Sequence, residues 1–246
     1  IGQPGTPTSG SLDGEHIYAD NGTYTVTVTV HDDDGGTDSA TFTVTVNNVA
    51  PTVTATADKT VNEGQTLSIT DIGTFTDPGF DNPDRPGGAT VETFSYTIDW
   101  GDGTPPVIST PTIDQAGSRG VPTQGSLDGS HVYADNGTYT VTVTVTDDDS
   151  GSHADTFLVT VNNVAPTLTV VGNQNVNEGA TLSLTNIGTF TDPGFDNALN
   201  VGGEVEETFT YTIDWGDGTA DSTGTATIDQ VGSPGVLTSG SFDGSH

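Results

Sequence analysis

The chain has 246 residues, with 34 Asp+Glu against three Lys+Arg, a formal net charge of −31, and neither Cys nor Met. That balance argues against nucleic acid and anionic membrane surfaces, because phosphate contacts need basic side chains. Disulfides, thiolate metal sites and thiol catalysis are excluded, and no apolar run approaches the roughly 18 residues of a membrane-spanning helix.

Residues 1–15 are rich in Gly, Pro, Ser and Thr and are expected to be a loop. From His16 to Val46 the chain alternates apolar and hydroxyl residues on either side of an acidic turn, the pattern of a β-hairpin. Asn47–Pro51 (NNVAP) recurs at Asn162–Pro166 and marks a junction that proline stiffens. Strands are expected over Thr52–Ala57 and Gln65–Thr70, with Val61–Gly64 as a turn. A polar loop from Phe75 to about Gly88 follows. Thr93–Trp100 is a strong strand, Gly101–Thr104 a turn, Val107–Asp114 a further strand and Gln115–Gly129 a loop. The best-written hairpin spans His131–Asn163: Tyr139, Val141, Val143 and Val145 alternate with threonines, the turn is Asp147-Asp-Asp-Ser-Gly151, and Phe157, Val159 and Val161 resume the alternation.

This hairpin matches His16–Asn48 at 25 of 33 positions. Ser11, Ser126 and Ser241, Trp100 and Trp215, and His16, His131 and His246 all keep one spacing of 115 residues, the size of a domain rather than of a short solenoid repeat. The division expected is the C-terminal part of one unit at 1–48, a complete unit at 49–163 and the N-terminal part of the next at 164–246, as in a segment of a longer array. With no helical periodicity and dense Gly/Pro/Asn/Asp punctuation, each unit is expected to be an all-β sandwich, with Asp135–Tyr139 suited to its tyrosine corner.

TIDWGDGT at 97–104 and 212–219, HVYADNGTYTV at 131–141 and HIYADNGTYTV at 16–26 resemble the PKD domain, the immunoglobulin-like module named after the polycystic kidney disease protein. The loop TDPGFDN resembles that family's Asp-Pro loop, although the loops after Asp77 and Asp114 are longer than usual. The resemblance covers nearly the whole chain. It implies tandem immunoglobulin-like sandwiches with extracellular or cell-surface roles: spacers of adhesins and surface layers, accessory modules of secreted hydrolases, and mechanically robust links. It also makes Trp100, Asp102, His131, Tyr133, Tyr139, Trp215 and Asp217 residues of a structural motif.

No catalytic constellation is present: the five histidines are isolated and no Gly-x-Ser-x-Gly elbow occurs, so the segment reads as non-enzymatic. Trp100 and Trp215 fall on the inward alternation and read as core rather than sugar platforms. Asp102 and Asp217 read as turn-closing residues. Asn21 and Asn136 have the form of glycosylation acceptors but also of ordinary Asn-Gly turns. In an immunoglobulin-like sandwich, Asp147, Asp148 and Asp149 meet the loop carrying Asp77 and Asp81 and the incoming linker at Asn48, at the pole where the chain enters. Hard oxygens from three segments suit Ca²⁺, and the competing reading is a solvated, self-capped turn. The charge has a parallel pair of readings, cation binding and tolerance of salty surroundings.

The function expected from the sequence is that of a structural repeat segment in a fibre, surface layer or adhesin stalk. Its partners would be tandem, and in a filament also lateral, copies of itself, with calcium stiffening the junctions. The alternative is a ligand- or carbohydrate-binding accessory module.

Overall fold

The computed structural model describes residues 5–85, 88–200, 202–203 and 205–246, so part of the expected N-terminal loop (1–4) and of the loop ending near Gly88 (86–87) lies outside it. Every regular element among these residues is a strand. The first two, β1 (Gly22–His31) and β2 (Thr37–Val46), form a two-stranded antiparallel hairpin. The next nine are β3 (Thr52–Ala55), β4 (Lys59–Asn62), β5 (Thr66–Asp77), β6 (Phe94–Asp99), β7 (Val107–Ser109), β8 (Thr112–Gln115), β9 (Thr123–Val132), β10 (Gly137–Asp147) and β11 (Ser152–Asn162). They make a five-stranded sheet, β4-β11-β10-β6-β7, and a four-stranded sheet, β3-β5-β9-β8. Only the β4–β11 pair is parallel.

One core spans these two sheets. Tyr139, Val141, Val143 and Val145 of β10 face Ile69, Ile72 and Phe75 of β5 and Leu127 of β9, and the three valines are fully buried. Each such side chain stabilises the fold by about 1.5–3 kcal/mol through apolar surface withdrawn from water. The threonines between them point away from the core, so the period-two alternation sets the register of both faces.

Two expectations change here. Residues 123–129, placed by sequence in a loop, belong to β9, which pairs with both β5 and β8. Gly125 and Gly129 weaken the strand signal, yet both are needed for packing: a Cβ at Gly125 would lie 2.5 Å from Phe75 and from the Thr112 carbonyl, and one at Gly129 would lie 2.8 Å from Ile98. The strand expected over 107–114 is two short ones, β7 and β8, in different sheets, because Pro111 interrupts the ladder where the chain crosses between them. In addition, the turn expected at 61–64 begins with the last two residues of β4.

Downstream, β12 (Thr167–Val170), β13 (Ser183–Asp192), β16 (Thr227–Gln230) and β17 (Thr238–Ser245) repeat the four-stranded sheet in the order β12-β13-β17-β16. The pair β14 (Thr210–Ile213) and β15 (Ser222–Thr225) repeats β6–β7. Among the described residues, the two-sheet sandwich of β3–β11 therefore lies between a lone hairpin and a set of strands that repeats part of it. In β1–β2, where no facing sheet is present, Val28, Val30 and Phe42 are 37, 54 and 54 % exposed. Their counterparts Val143, Val145 and Phe157 in β10–β11 are 3 % exposed or less.

Candidate functional site: the pole and the domain junction

The Trp-Gly-Asp-Gly turn is an internal brace. Gly101 and Gly103 adopt φ of 79° and 82°, which reverses the chain sharply after β6. This brings the Asp102 carboxylate back over Thr104, whose N–H (3.1 Å) and hydroxyl (2.6 Å) both donate to it, and against His131 Nε2 at 2.7 Å. The imidazole stacks on Trp100 at 5.0 Å, and the Tyr133 hydroxyl donates to the Trp100 carbonyl at 3.0 Å. The Tyr139 hydroxyl donates to the carbonyl of Asp135, four residues back, at 2.9 Å. Burial opposes ionisation of Asp102, but the hydrogen bonds from His131 and Thr104 outweigh it and hold the carboxyl below its usual range. Trp100 is 1 % exposed and offers no face to a sugar. The next copy repeats the brace: Asp217 accepts from Thr219 and lies 2.9 Å from His246 Nε2, and His246 stacks on Trp215.

This brace shapes the surface on which the next unit sits. The Phe195 N–H donates to the Ala134 carbonyl at 3.0 Å, and 115 residues earlier Phe80 donates to Ala19 at the same distance. The TDPGFDN loop of each unit therefore docks on the preceding one. At the second junction Asn197 Nδ2 donates to the Asp102 carbonyl, and the buried Glu63 carboxylate accepts the Val164 N–H of the outgoing linker at 2.6 Å. Gly64 and Gly103 allow this approach, since a Cβ at either would overlap the carbonyl of Pro193 or Leu199. At the first junction Arg85 stands 5.5 Å over the Tyr24 ring and 3.6 Å from Asp20. Of the acceptor-type asparagines, Asn136 is exposed and Asn21 half-buried, both in the turn just before a hairpin strand.

At the opposite end of the sandwich, where the chain enters, the structure gathers most of the carboxylates singled out by sequence. Asp147 is buried. Its Oδ1 accepts the Gly151 N–H at 2.6 Å, closing the acidic turn, and its Oδ2 accepts Asn48 Nδ2 at 2.9 Å, tying the turn to the incoming linker. Asp77 is 2 % exposed; its Oδ1 accepts the Gly79 N–H, and its Oδ2 has no partner. Asp148 accepts the Thr93 N–H, and Asp81 accepts the N–H of Glu92. Asp148 and Asp149 both lie near enough to Asp20 of the preceding unit for their charges to raise its carboxyl. Glu92 was not anticipated from sequence. Burial, followed by the charges of Asp148 and Asp77, pushes its carboxyl up to about 8. The available signal was the repeated Glu-Thr-Phe before the strong strand, at 92–94 and 207–209. Among the described residues, no three His, Asp or Glu side chains are preassembled as a metal centre.

Two expectations follow. Asp102→Ala leaves His131 and the turn amide without their partner and is expected to cost about 2–4 kcal/mol in denaturant unfolding; a loss below about 0.5 kcal/mol would contradict the brace. Glu92 keeps a proton in the folded chain that the unfolded chain, near its ordinary 4.5, has already released. In chelator the urea midpoint should therefore fall as pH rises from about 4.5 to 8, and Glu92→Gln should flatten that fall. A midpoint that rises over this range, or a fall unchanged in the variant, would contradict it.

Comparison with known proteins gives the same picture. A PKD-domain family profile matches residues 52–160, a second matches 5–46, and together they cover more than half of the chain. No match is found among curated proteins. Among solved structures, the PKD domain of an M14-like peptidase from Thermoplasmatales archaeon SCGC AB-540-F20 is 26 % identical, over 46 % of this chain and 92 % of that one, with a TM-score of 0.27. PKD domains are non-catalytic immunoglobulin-like modules typical of extracellular and surface proteins. With two of them in tandem, this chain belongs to the PKD-domain family.

Proposed function

We propose that the chain is a load-bearing spacer, a segment of a fibre, surface layer or adhesin stalk in which domains are stacked in series and their junctions stiffened by calcium. The observation that carries this reading is the recurrence of one junction contact. The same backbone hydrogen bond, Phe80 to Ala19 and Phe195 to Ala134, joins successive units at the same register. A flexible linker would leave these polar groups to water, whereas a stacked array uses them to fix the angle between neighbours. Proline in each linker, the Glu63 clamp on Val164 and the Asn48–Asp147 bond act in the same direction. The strong negative charge keeps such arrays soluble and apart from one another.

Small-angle X-ray scattering tests the proposal. In excess CaCl2 and about 0.15 M salt, the native chain is expected to scatter as one extended rigid particle. Arg85→Ala combined with Asn197→Ala, which removes one docking side chain at each junction, should broaden its distance distribution. A native chain whose scattering requires an ensemble of bent arrangements would refute the rod.

A further inference from the structure

We infer that Asp77, Glu92, Asp147 and Asp148, together with the Asn48 side chain of the incoming linker, form a divalent-cation site that takes Ca²⁺ and closes the junction in front of each complete domain. This deepens the spacer reading and rests on it for its purpose, but its chemistry stands on separate observations. The first is Asp77 Oδ2, a carboxylate oxygen without a hydrogen-bond partner on a side chain 98 % withdrawn from solvent. A buried charged oxygen left in this way is costly unless something binds it.

The second is that the surroundings hold like charges and no basic partner. Asp77 feels the charges of Asp147 and Asp148, and Glu92 feels those of Asp148, Asp77 and Asp147. Among the described residues the only ion pair made by Lys or Arg is Arg85–Asp20, so none neutralises this group. The third is proximity. The side chains crowd in pairs onto bare backbone: a Cβ at Gly79 would lie 2.5 Å from Glu92 Oε2 and 2.9 Å from Asp77 Oδ1, and one at Gly151 would lie 2.5 Å from Asp147 Oδ2 and 2.6 Å from Asn48 Nδ2. The next copy repeats the first cradle, with Gly194 against Glu207 Oε2 and Asp192 Oδ1 at 2.8 and 3.0 Å.

The donors are hard oxygens from the end of β5, the segment before β6, the end of β10 with the turn that follows it, and the linker, an irregular many-oxygen set that suits Ca²⁺ better than the strict octahedron of Mg²⁺. Because they are not preassembled around one point, binding draws the exposed Asp148 and half-buried Glu92 in toward the fixed Asp77 and Asp147. Asn48 is the only member outside the sandwich, so occupancy pins the linker to the domain.

The test is calorimetric titration of the demetallated 246-residue chain with CaCl2 at about 0.15 M and about 1 M salt, between which the screening length shrinks from about 8 to 3 Å. A saturable event that persists at high salt is expected. Glu92→Gln and Asp77→Asn should each weaken it roughly tenfold, and Asp114→Asn, on exposed β8, should leave it unchanged. Should Asp77→Asn fail to fold, Glu92→Gln alone decides the matter. Binding that never saturates, vanishes at high salt or is weakened equally by Asp114→Asn would be a diffuse ion cloud and would overturn the site. Calorimetry reads the ion and scattering reads the rod, so loss of the ion site and loss of the spacer reading are distinguishable.

Discussion

Closure of one sheet over another is the constraint on which everything else depends. The face carrying Val141, Val143 and Val145 excludes water only because β5 and β9 of the same unit lie opposite it, through Ile72, Phe75 and Leu127. The nearly identical β1 has no such cover, and its Val28 and Val30 stand in solvent. Sequence alternation decides which face is apolar; the facing sheet decides whether that face is stabilised. Closure also fixes where the two ends of the sandwich stand. One end carries the Trp100–Asp102–His131 brace and the other the acidic turn at Asp147, and these are the surfaces that meet successive units.

The junctions then follow from short-range chemistry. Backbone amides of the TDPGFDN loop need acceptors, and the preceding domain supplies them at Ala19 and Ala134. Glycines at 64 and 103 let two backbones approach within a distance that any side chain would forbid. The charge distribution is arranged against simple stability: Glu63, Asp77 and Asp147 are all buried at or beside junctions, and burial raises the carboxyls of Glu63 and Asp77. Apolar residues of similar volume would hold these positions at lower cost. Carboxylates there make sense where their oxygens hold something, an amide in the case of Glu63 and Asp147, and a cation in our proposal for Asp77.

Much of the architecture was legible in the sequence because its strongest signals are local. The Thr/Val alternation of β10, the 115-residue spacing and the order of the Trp-Gly-Asp-Gly and His-x-Tyr motifs need no tertiary information. What escaped is what the partner surface decides. β9 reads as loop because Gly125 and Gly129 are poor strand formers, and only the proximity of Phe75, Thr112 and Ile98 shows why glycine must stand there. At the acidic pole, Asp77, Asp147, Asp148 and Asn48 follow from sandwich topology, whereas Glu92 comes in from the segment before β6 and is visible only once that segment is placed.

The central claim is that neighbouring domains hold one fixed mutual arrangement. The absence of cysteine makes it directly measurable, since Thr156→Cys on β11 and Asp229→Cys on β16 place two spin labels on exposed strands of successive units without competing thiols. Pulsed dipolar spectroscopy in chelator should give a single distance distribution as narrow as that of a pair within one sandwich. A broad or multiply peaked distribution would show that the junction is a hinge and would contradict the account.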